Sequence, residues 1–204
     1  MDINENPVAW KLAKEEYEEI KANGGEFSDP RMYDEQYELA WKGIEWPCLL
    51  FILICLNPSM GDYNPRKARE LIQLLLRGKH FDSTLCLAEY LVIHEDDNPV
   101  ARDVGMETLR AMADAGHTRS QHLLALFLFD GVGTGQDPEE ALRLLTMAAE
   151  ANDSEAQLAL AFRYLYGEGI PHVDRAAAVR YARRAYELGN EDAFWILCQE
   201  EMDA

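Results

Sequence analysis

The stretch AEANDSEAQLALAFRYLYGEGIPHVDRAAAVRYARRAYELG, residues 149–189, decides the fold of this chain, because most of it occurs a second time just upstream. Gly116-His117-Thr118-Arg119-Ser120-Gln121 matches Asn152-Asp153-Ser154-Glu155-Ala156-Gln157. Gly131-Val132-Gly133 matches Gly167-Glu168-Gly169, and Asp137 with Ala141 and Ala148 matches Asp174 with Ala178 and Ala185. Each copy reads as two helices. The first stops before the paired glycines, which permit the left-handed backbone of a tight turn. The second starts at the aspartate, whose carboxylate can cap the orphan N–H groups of a helix start. The same start signal, an acid or amide directly before proline, stands at Asp29-Pro30, Asn64-Pro65, Asn98-Pro99 and Asp137-Pro138. Proline suits the first helical position because its missing N–H would be unpaired anyway. The steps between these pairs are 35, 34 and 39 residues, and Asp174 lies 37 beyond Asp137. A start signal recurring at this interval is the mark of a helical repeat array.

Within the repeats, small residues recur at fixed places: Ala125, Ala141, Ala148, Ala161, Ala178 and Ala185. They let neighbouring helices approach, while Leu124, Leu144, Leu160 and Tyr181 fill the space between. Upstream the pattern thins. Residues 8–42 keep Gly24-Gly25, Asp29-Pro30 and Ala40, and residues 43–77 keep Gly43, Gly61, Asn64-Pro65 and Ala68. In 78–115, Ile93 and Glu95 replace the glycine pair, and Asn98-Pro99 implies a helix about a turn longer. Gly189-Asn190-Glu191-Asp192-Ala193 opens a last unit that stops after one helix. The reading is five degenerate units and a terminal helix, about eleven helices. Residues 1–60 are either true repeats or a separate helical cap. A polar first helix bearing Glu15, Glu16, Glu18 and Glu19 suits a solubilising cap in both cases.

On Ala156, Leu160, Tyr164, Gly167, Gly169, Ile170, Asp174, Ala178 and Ala185, the chain resembles the Sel1-like repeat family, a relative of the tetratricopeptide repeats. The resemblance is strong over residues 112–198 and fades upstream. It implies an all-α fold: a right-handed α-solenoid of about five antiparallel helix pairs plus a terminal helix, forming one domain over residues 1–204. It also implies a concave groove lined by the first helix of each pair. By that analogy the partner-binding residues are Glu89, Arg119, His122, Phe162, Arg163, Tyr166, Trp195 and Gln199. Some cysteine-rich members of the family have been proposed to act on β-lactams; they carry a cysteine pair in each repeat, which this chain lacks, so that activity is not expected here.

Charge narrows the class of partner. The chain has 19 Lys and Arg against 37 Asp and Glu, a formal net charge of −18. Phosphate backbones and anionic membranes are recognised by cations, so neither nucleic acid nor a membrane surface is expected as a partner. A protein with a basic surface is. The first six residues, Met1 to Asn6, have neither a basic nor an apolar region, so no secretory signal is read and a cytoplasmic location is expected. The longest apolar run, Cys48 to Leu56, spans nine residues, about half a bilayer, and reads as a buried helix. Cys48 and Cys55 fall two turns apart on one helix, about 10 Å, too far for a disulfide. Together with Cys86 and Cys198 they are expected as reduced, mostly buried thiols.

Sites for chemistry are hard to build. Gly131-Val132-Gly133-Thr134-Gly135 follows a helix rather than a strand and precedes Asp137, Glu139 and Glu140, so it reads as a turn rather than a phosphate loop. His80, His94, His117, His122 and His172 form no pair at metal-ligand spacing, and no nucleophile motif surrounds any Ser or Cys. Asp96-Asp97 and Glu139-Glu140 sit at helix starts or in a loop, and read as complements to helix dipoles rather than as an acid/base pair. No catalytic residue, cofactor or metal is expected. Trp41, on a second helix, is expected in the core. Trp195, on the unfinished helix, is either a lid over the last core layer or an exposed anchor. The function expected is binding of a basic partner protein through the groove, such as a toxin held inactive by an immunity protein. An adaptor in signalling or complex assembly is the alternative, and an enzyme with its site in the groove a remote one.

Overall fold

The computed structural model describes residues 8–25, 30–94, 97–170 and 172–203, with the side chains of 30–32 and 199–203 outside the description. Among the described residues there are eleven α-helices and no strand. The chain forms two compact units, residues 1–108 and 109–204. The first holds α1 (Val8–Ala22), α2 (Pro30–Trp41), α3 (Glu45–Leu56), α4 (Pro65–Arg77), α5 (Phe81–His94) and the start of α6 (Pro99–Asp114). The second holds the rest of α6, from Leu109, then α7 (Thr118–Asp130), α8 (Pro138–Glu150), α9 (Ser154–Tyr166) and α10 (Arg175–Glu187). A single 3-10 turn (Glu191–Ala193) then leads into α11 (Phe194–Asp203).

Unit 1 is built around α3. From Pro47 to Leu56 every side chain of this helix is buried, so it is apolar all round rather than amphipathic. Helices α1, α2 and α4 pack on it. Their buried residues fall at the spacing of one helix face: Trp10, Ala13, Tyr17 and Ile20 on α1, and Ala68, Leu71, Ile72 and Leu75 on α4. At roughly 1.5–3 kcal/mol for each large side chain withdrawn from water, α3 supplies the main drive for forming this unit. Between Tyr33–Trp41 and Glu45–Leu56 the chain bends by 109°. Among the described residues no single helix is long and apolar enough to cross a membrane. The expected core position of Trp41 is corrected: its indole is 36% exposed and lies edge-on to Tyr37. Helix α2 turns its Ala40 inward instead, against the Cys48 thiol, which donates to the Ala40 carbonyl at 3.0 Å.

Unit 2 is a regular zigzag in which α7 packs on α8, α8 on α9, α9 on α10 and α10 on α11. The caps read from the sequence at Asp137 and Asp174 are in place, accepting from the backbone N–H three residues on at 3.1 and 2.8 Å, and Asp153 caps α9 in the same way at 2.8 Å. Gly131 and Gly167 end α7 and α9 in the left-handed conformation, at φ 73° and 75°. Each inter-helix loop closes by the same bond, from the Asp137 N–H to the Leu128 carbonyl and from the Asp174 N–H to the Tyr164 carbonyl. Conserved in form, too, is the link between successive repeats: the Gln121 amide donates to the Ala113 carbonyl and the Gln157 amide to the Ala149 carbonyl, at 3.0 and 2.6 Å.

The same construction persists upstream where the sequence pattern fades. Asn64 caps α4, and its N–H donates to the Cys55 carbonyl at 2.8 Å, as the two aspartates do in unit 2. Asn98 caps α6 and also donates to the Leu56 carbonyl. Asp29 lies outside the described residues, as do Glu95 and Asp96. The lengthening expected after His80 is present: α5 has 14 residues and α6 has 16, against 13 in each of α7 to α10.

Candidate protein-binding surface

In unit 2 the first helices of the repeats, α7, α9 and α11, form one layer and the second helices, α8 and α10, the other. On the first-helix layer three of the expected binding residues come together. The rings of Phe162 and Tyr166, one turn apart on α9, stack at 6.2 Å and 7° between planes. The Trp195 indole, from the start of α11, lies 6.3 Å from Phe162. Tyr166 and Trp195 are 53% and 47% exposed, and Phe162 is half-buried beneath them. Large rings held in place by one another offer contact area with little rotamer entropy left to lose on binding. Trp195 therefore packs over Phe162 and is nonetheless half exposed.

Acids border this strip. Burial raises the Glu155 carboxyl above its ordinary value of 4.5, with Asp153 and Asp192 adding to the effect. Its carboxylate accepts from the Asn190 amide at 3.1 Å. Arg163 is differently employed. Its guanidinium stands 4.2 Å over the Phe129 ring and 3.7 Å from both Asp130 and Glu168, with the side chain only 16% exposed. It acts as a strut between α7 and the loop after α9. On α7, Arg119 is exposed and His122 is half-buried, 3.9 Å from the carboxylate that caps α9. Burial holds the His122 imidazole below its ordinary value, against the opposite pull of Asp153 and with a further push from Arg119.

The remaining expected residues lie apart from the strip. Glu89 is exposed on α5 in unit 1, at a recess of about 130 Å³ shared with Trp10, Lys14 and Tyr90. Gln199 is on α11, outside the side chains described. Sequence reasoning missed Tyr186, Leu188 and Phe194, all exposed at the end of unit 2. The signal was available: Phe194 stands where Gln121 and Gln157 stand in the preceding repeats. Nor did it anticipate the apolar recess on α8, about 660 Å³, walled by Leu142, Thr146 and Met147 and closed at one side by Gly169. Among the described residues no cluster of His, Cys, Asp and Glu could hold a metal ion.

Stacked helix pairs, closed by the same bonds at the same places, make unit 2 a helical-repeat array. The Sel1 repeat family model matches residues 118–153 and 154–190, which are α7 with α8 and α9 with α10. Residues 118–190 are thus similar to two Sel1 repeats, and proteins built of such repeats are typically non-enzymatic modules that bind other proteins. The chain is similar to chitin synthase regulatory factor 4 of Schizosaccharomyces pombe, at 28% identity over 169 residues, 74% of this chain and 26% of that protein. The chain therefore spans about a quarter of the curated relative's length. Among solved structures it is similar to a protective antigen of uropathogenic Escherichia coli that displays an SLR fold. That likeness has a TM-score of 0.54 and 17% identity over 78% of this chain and 34% of the other. A Sel1 repeat protein from Oxalobacter formigenes gives a TM-score of 0.48 at 22% identity, over 59% of this chain and 90% of the other.

Proposed function

We propose that this chain binds a partner protein with a basic surface, and that the strip formed by Phe162, Tyr166 and Trp195 is where the partner docks. The observation that carries the reading is the pre-stacked, half-exposed ring cluster on the first-helix layer, bordered by Glu155 and Asp192 in a chain of net charge −18. The rings supply the affinity, while the acids speed encounter and select a cationic partner. In its sharper form the partner is a toxin kept inactive by occupancy, with this chain as the immunity protein. The setting proposed is the cytoplasm, where free thiols such as the four found here persist.

A second reading, an adaptor that regulates an enzyme complex, draws on one specific observation. The curated relative is by name a regulatory factor of a synthase, and this chain matches a quarter of it. Both readings use the same strip and differ in what becomes of the partner.

A photo-cross-linking residue placed at Tyr166, with another at Arg102 in unit 1 as control, tests the shared part in the native host. The expected product is one protein captured from position 166 alone. Its association rate with the purified chain should fall between low and physiological salt, while its dissociation rate changes little. Tyr166→Ala with Trp195→Ala should speed dissociation. A partner with an acidic contact face, or affinity indifferent to both substitutions, would overturn the proposal. Co-expression then separates the two readings: rescue of cells from a toxic partner marks immunity, and a harmless partner inside an enzyme assembly marks an adaptor.

A further inference from the structure

Arg163 stands where the preceding repeat has an apolar side chain. Its counterpart on α7 is Phe127, which is buried. A guanidinium largely withdrawn from water is costly unless other groups engage it, and the Arg163 side chain is almost hidden. Its compensation comes from two directions. Phe129, whose ring the guanidinium faces at 4.2 Å, and Asp130 belong to the end of α7. Glu168 belongs to the loop after α9. Arginine suits this task because its planar head stacks on a ring and reaches two carboxylates at once. A lone cation directed outward would repel a basic partner. Matched by two exposed acids, Arg163 leaves this end of the first-helix layer net anionic.

What these contacts hold is the last turn of α9. The Gly167 N–H donates to the Arg163 carbonyl at 2.8 Å, so the residue that carries the guanidinium also closes the helix. Two residues further on, Gly169 lies so close to the Phe129 ring that a Cβ there would come within 2.6 Å of it. Phe129 is thus engaged by Arg163 and by Gly169, which fastens the loop to α7. Tyr166 lies inside this closed path, three residues after Arg163 and three before Gly169. A half-exposed ring on the last turn of a helix has rotamers to lose, and the end of a helix frays readily. Fixing that turn against α7 fixes the backbone from which Tyr166 reaches Phe162, and so favours the near-parallel stack of the two rings. Order established before binding is entropy that binding need not remove.

We infer that Arg163 is a positioning residue for the docking strip: by drawing Phe129, Asp130 and Glu168 together it holds the Tyr166 ring on Phe162, and it does not itself meet the partner. This deepens the proposed function and rests on the strip being the docking site.

The effect on the ring is measured on the whole chain without a partner. Aromatic proton resonance reads the stack directly, because the Phe162 ring current moves the Tyr166 signals away from those of free tyrosine. Arg163→Gln and Phe129→Leu release the same set of contacts from opposite sides. Each should move the Tyr166 signals toward free tyrosine and speed amide exchange at Gly167 several-fold. Asp137→Ala, which weakens a helix cap elsewhere in unit 2, should do neither. Tyr166 signals that stay in place in both variants would overturn the inference. With the partner captured by cross-linking, a double-mutant cycle locates the action of Arg163. Arg163→Gln should speed dissociation when Tyr166 is present and add nothing in a Tyr166→Ala background. Equal effects in both backgrounds would mean that Arg163 touches the partner, and would also overturn the inference. Should Tyr166→Ala leave affinity unchanged, it is the docking proposal that fails, and the ring signals still decide what Arg163 does.

Discussion

At the scale of single residues, two kinds of small side chain do different jobs, and substitution separates them. Gly169 needs its bare backbone twice over: its φ is +70°, and a Cβ there would come within 2.6 Å of the Phe129 ring. Gly43 has a similar φ of +78° with open space around it. Both Gly→Ala changes carry the conformational cost of a left-handed residue, about 1–3 kcal/mol. Gly169→Ala must also displace Phe129, so its denaturation midpoint should fall further than that of Gly43→Ala. Equal losses would show that the ring yields freely. Ala161, fully buried where α9 meets the last core cluster, has no conformational role. Ala161→Leu should overpack that cluster and destabilise by about 1–3 kcal/mol, read from denaturant unfolding. His122 gives a pH dependence. Its imidazole is held below the ordinary value of 6.5 in the folded state, so the unfolded chain takes up the proton first. Its stabilising contribution is therefore complete above pH 6.5 and is lost as the pH falls through the folded value. His122→Gln should flatten the stability profile between pH 6.5 and the folded value; an unaltered slope there would rule the histidine out as its source.

At the scale of helices and their caps, the equal spacing of start signals hides unequal energies. Asp137 does one task, accepting from the Glu140 N–H on an exposed helix start. Asp137→Ala should cost about 1 kcal/mol. Asn98 does two, capping α6 and donating to the Leu56 carbonyl in the buried interior. Asn98→Ala removes the cap and strands that carbonyl, adding about 1–3 kcal/mol, so calorimetry should rank it clearly below Asp137→Ala in stability. Such caps were the legible part of the sequence, because they act within four residues and need no partner from elsewhere in the chain. So was α3, whose uncharged run leaves burial as the only solution. Exposure was not legible. Trp41 sits at a second-helix position, yet the 109° bend into α3 turns Ala40 inward and leaves the indole at the edge. Phe162, Tyr166 and Trp195 were readable as residues of the first-helix layer, but their stacking depends on how α11 docks on the last complete repeat. Arg163 carried no sign in sequence that Phe129, Asp130 and Glu168 would engage it. The closing bond of the α3–α4 loop shows that backbone geometry can outlast the glycines that announce it downstream.

At the scale of the whole molecule, a charge of −18 on 204 residues opposes any compact state through self-repulsion. Salt screens that repulsion, so the melting temperature should rise between low and physiological ionic strength, with a weakly interacting salt such as sodium chloride. A melting temperature that falls with added salt would mean that ion pairs such as Arg69 with Glu107 and Arg143 with Glu140 outweigh the net charge. The two units also differ in how they become self-sufficient. In unit 2 each helix is covered by its immediate neighbours, so order can grow repeat by repeat. Helix α3 has no such arrangement, since its run from Pro47 to Leu56 is buried all round and part of its cover is encoded after it, in α4 with Leu71, Ile72 and Leu75. During synthesis, then, the stickiest segment of the protein emerges from the ribosome well before the residues that conceal it. A chain stalled before α4 presents a bare, uncharged run, the kind of segment that chaperones hold and that otherwise seeds aggregation. The quality-control burden of this protein is thus set early in translation, by a ten-residue run, Pro47 to Leu56, that in the finished molecule is shut away from water.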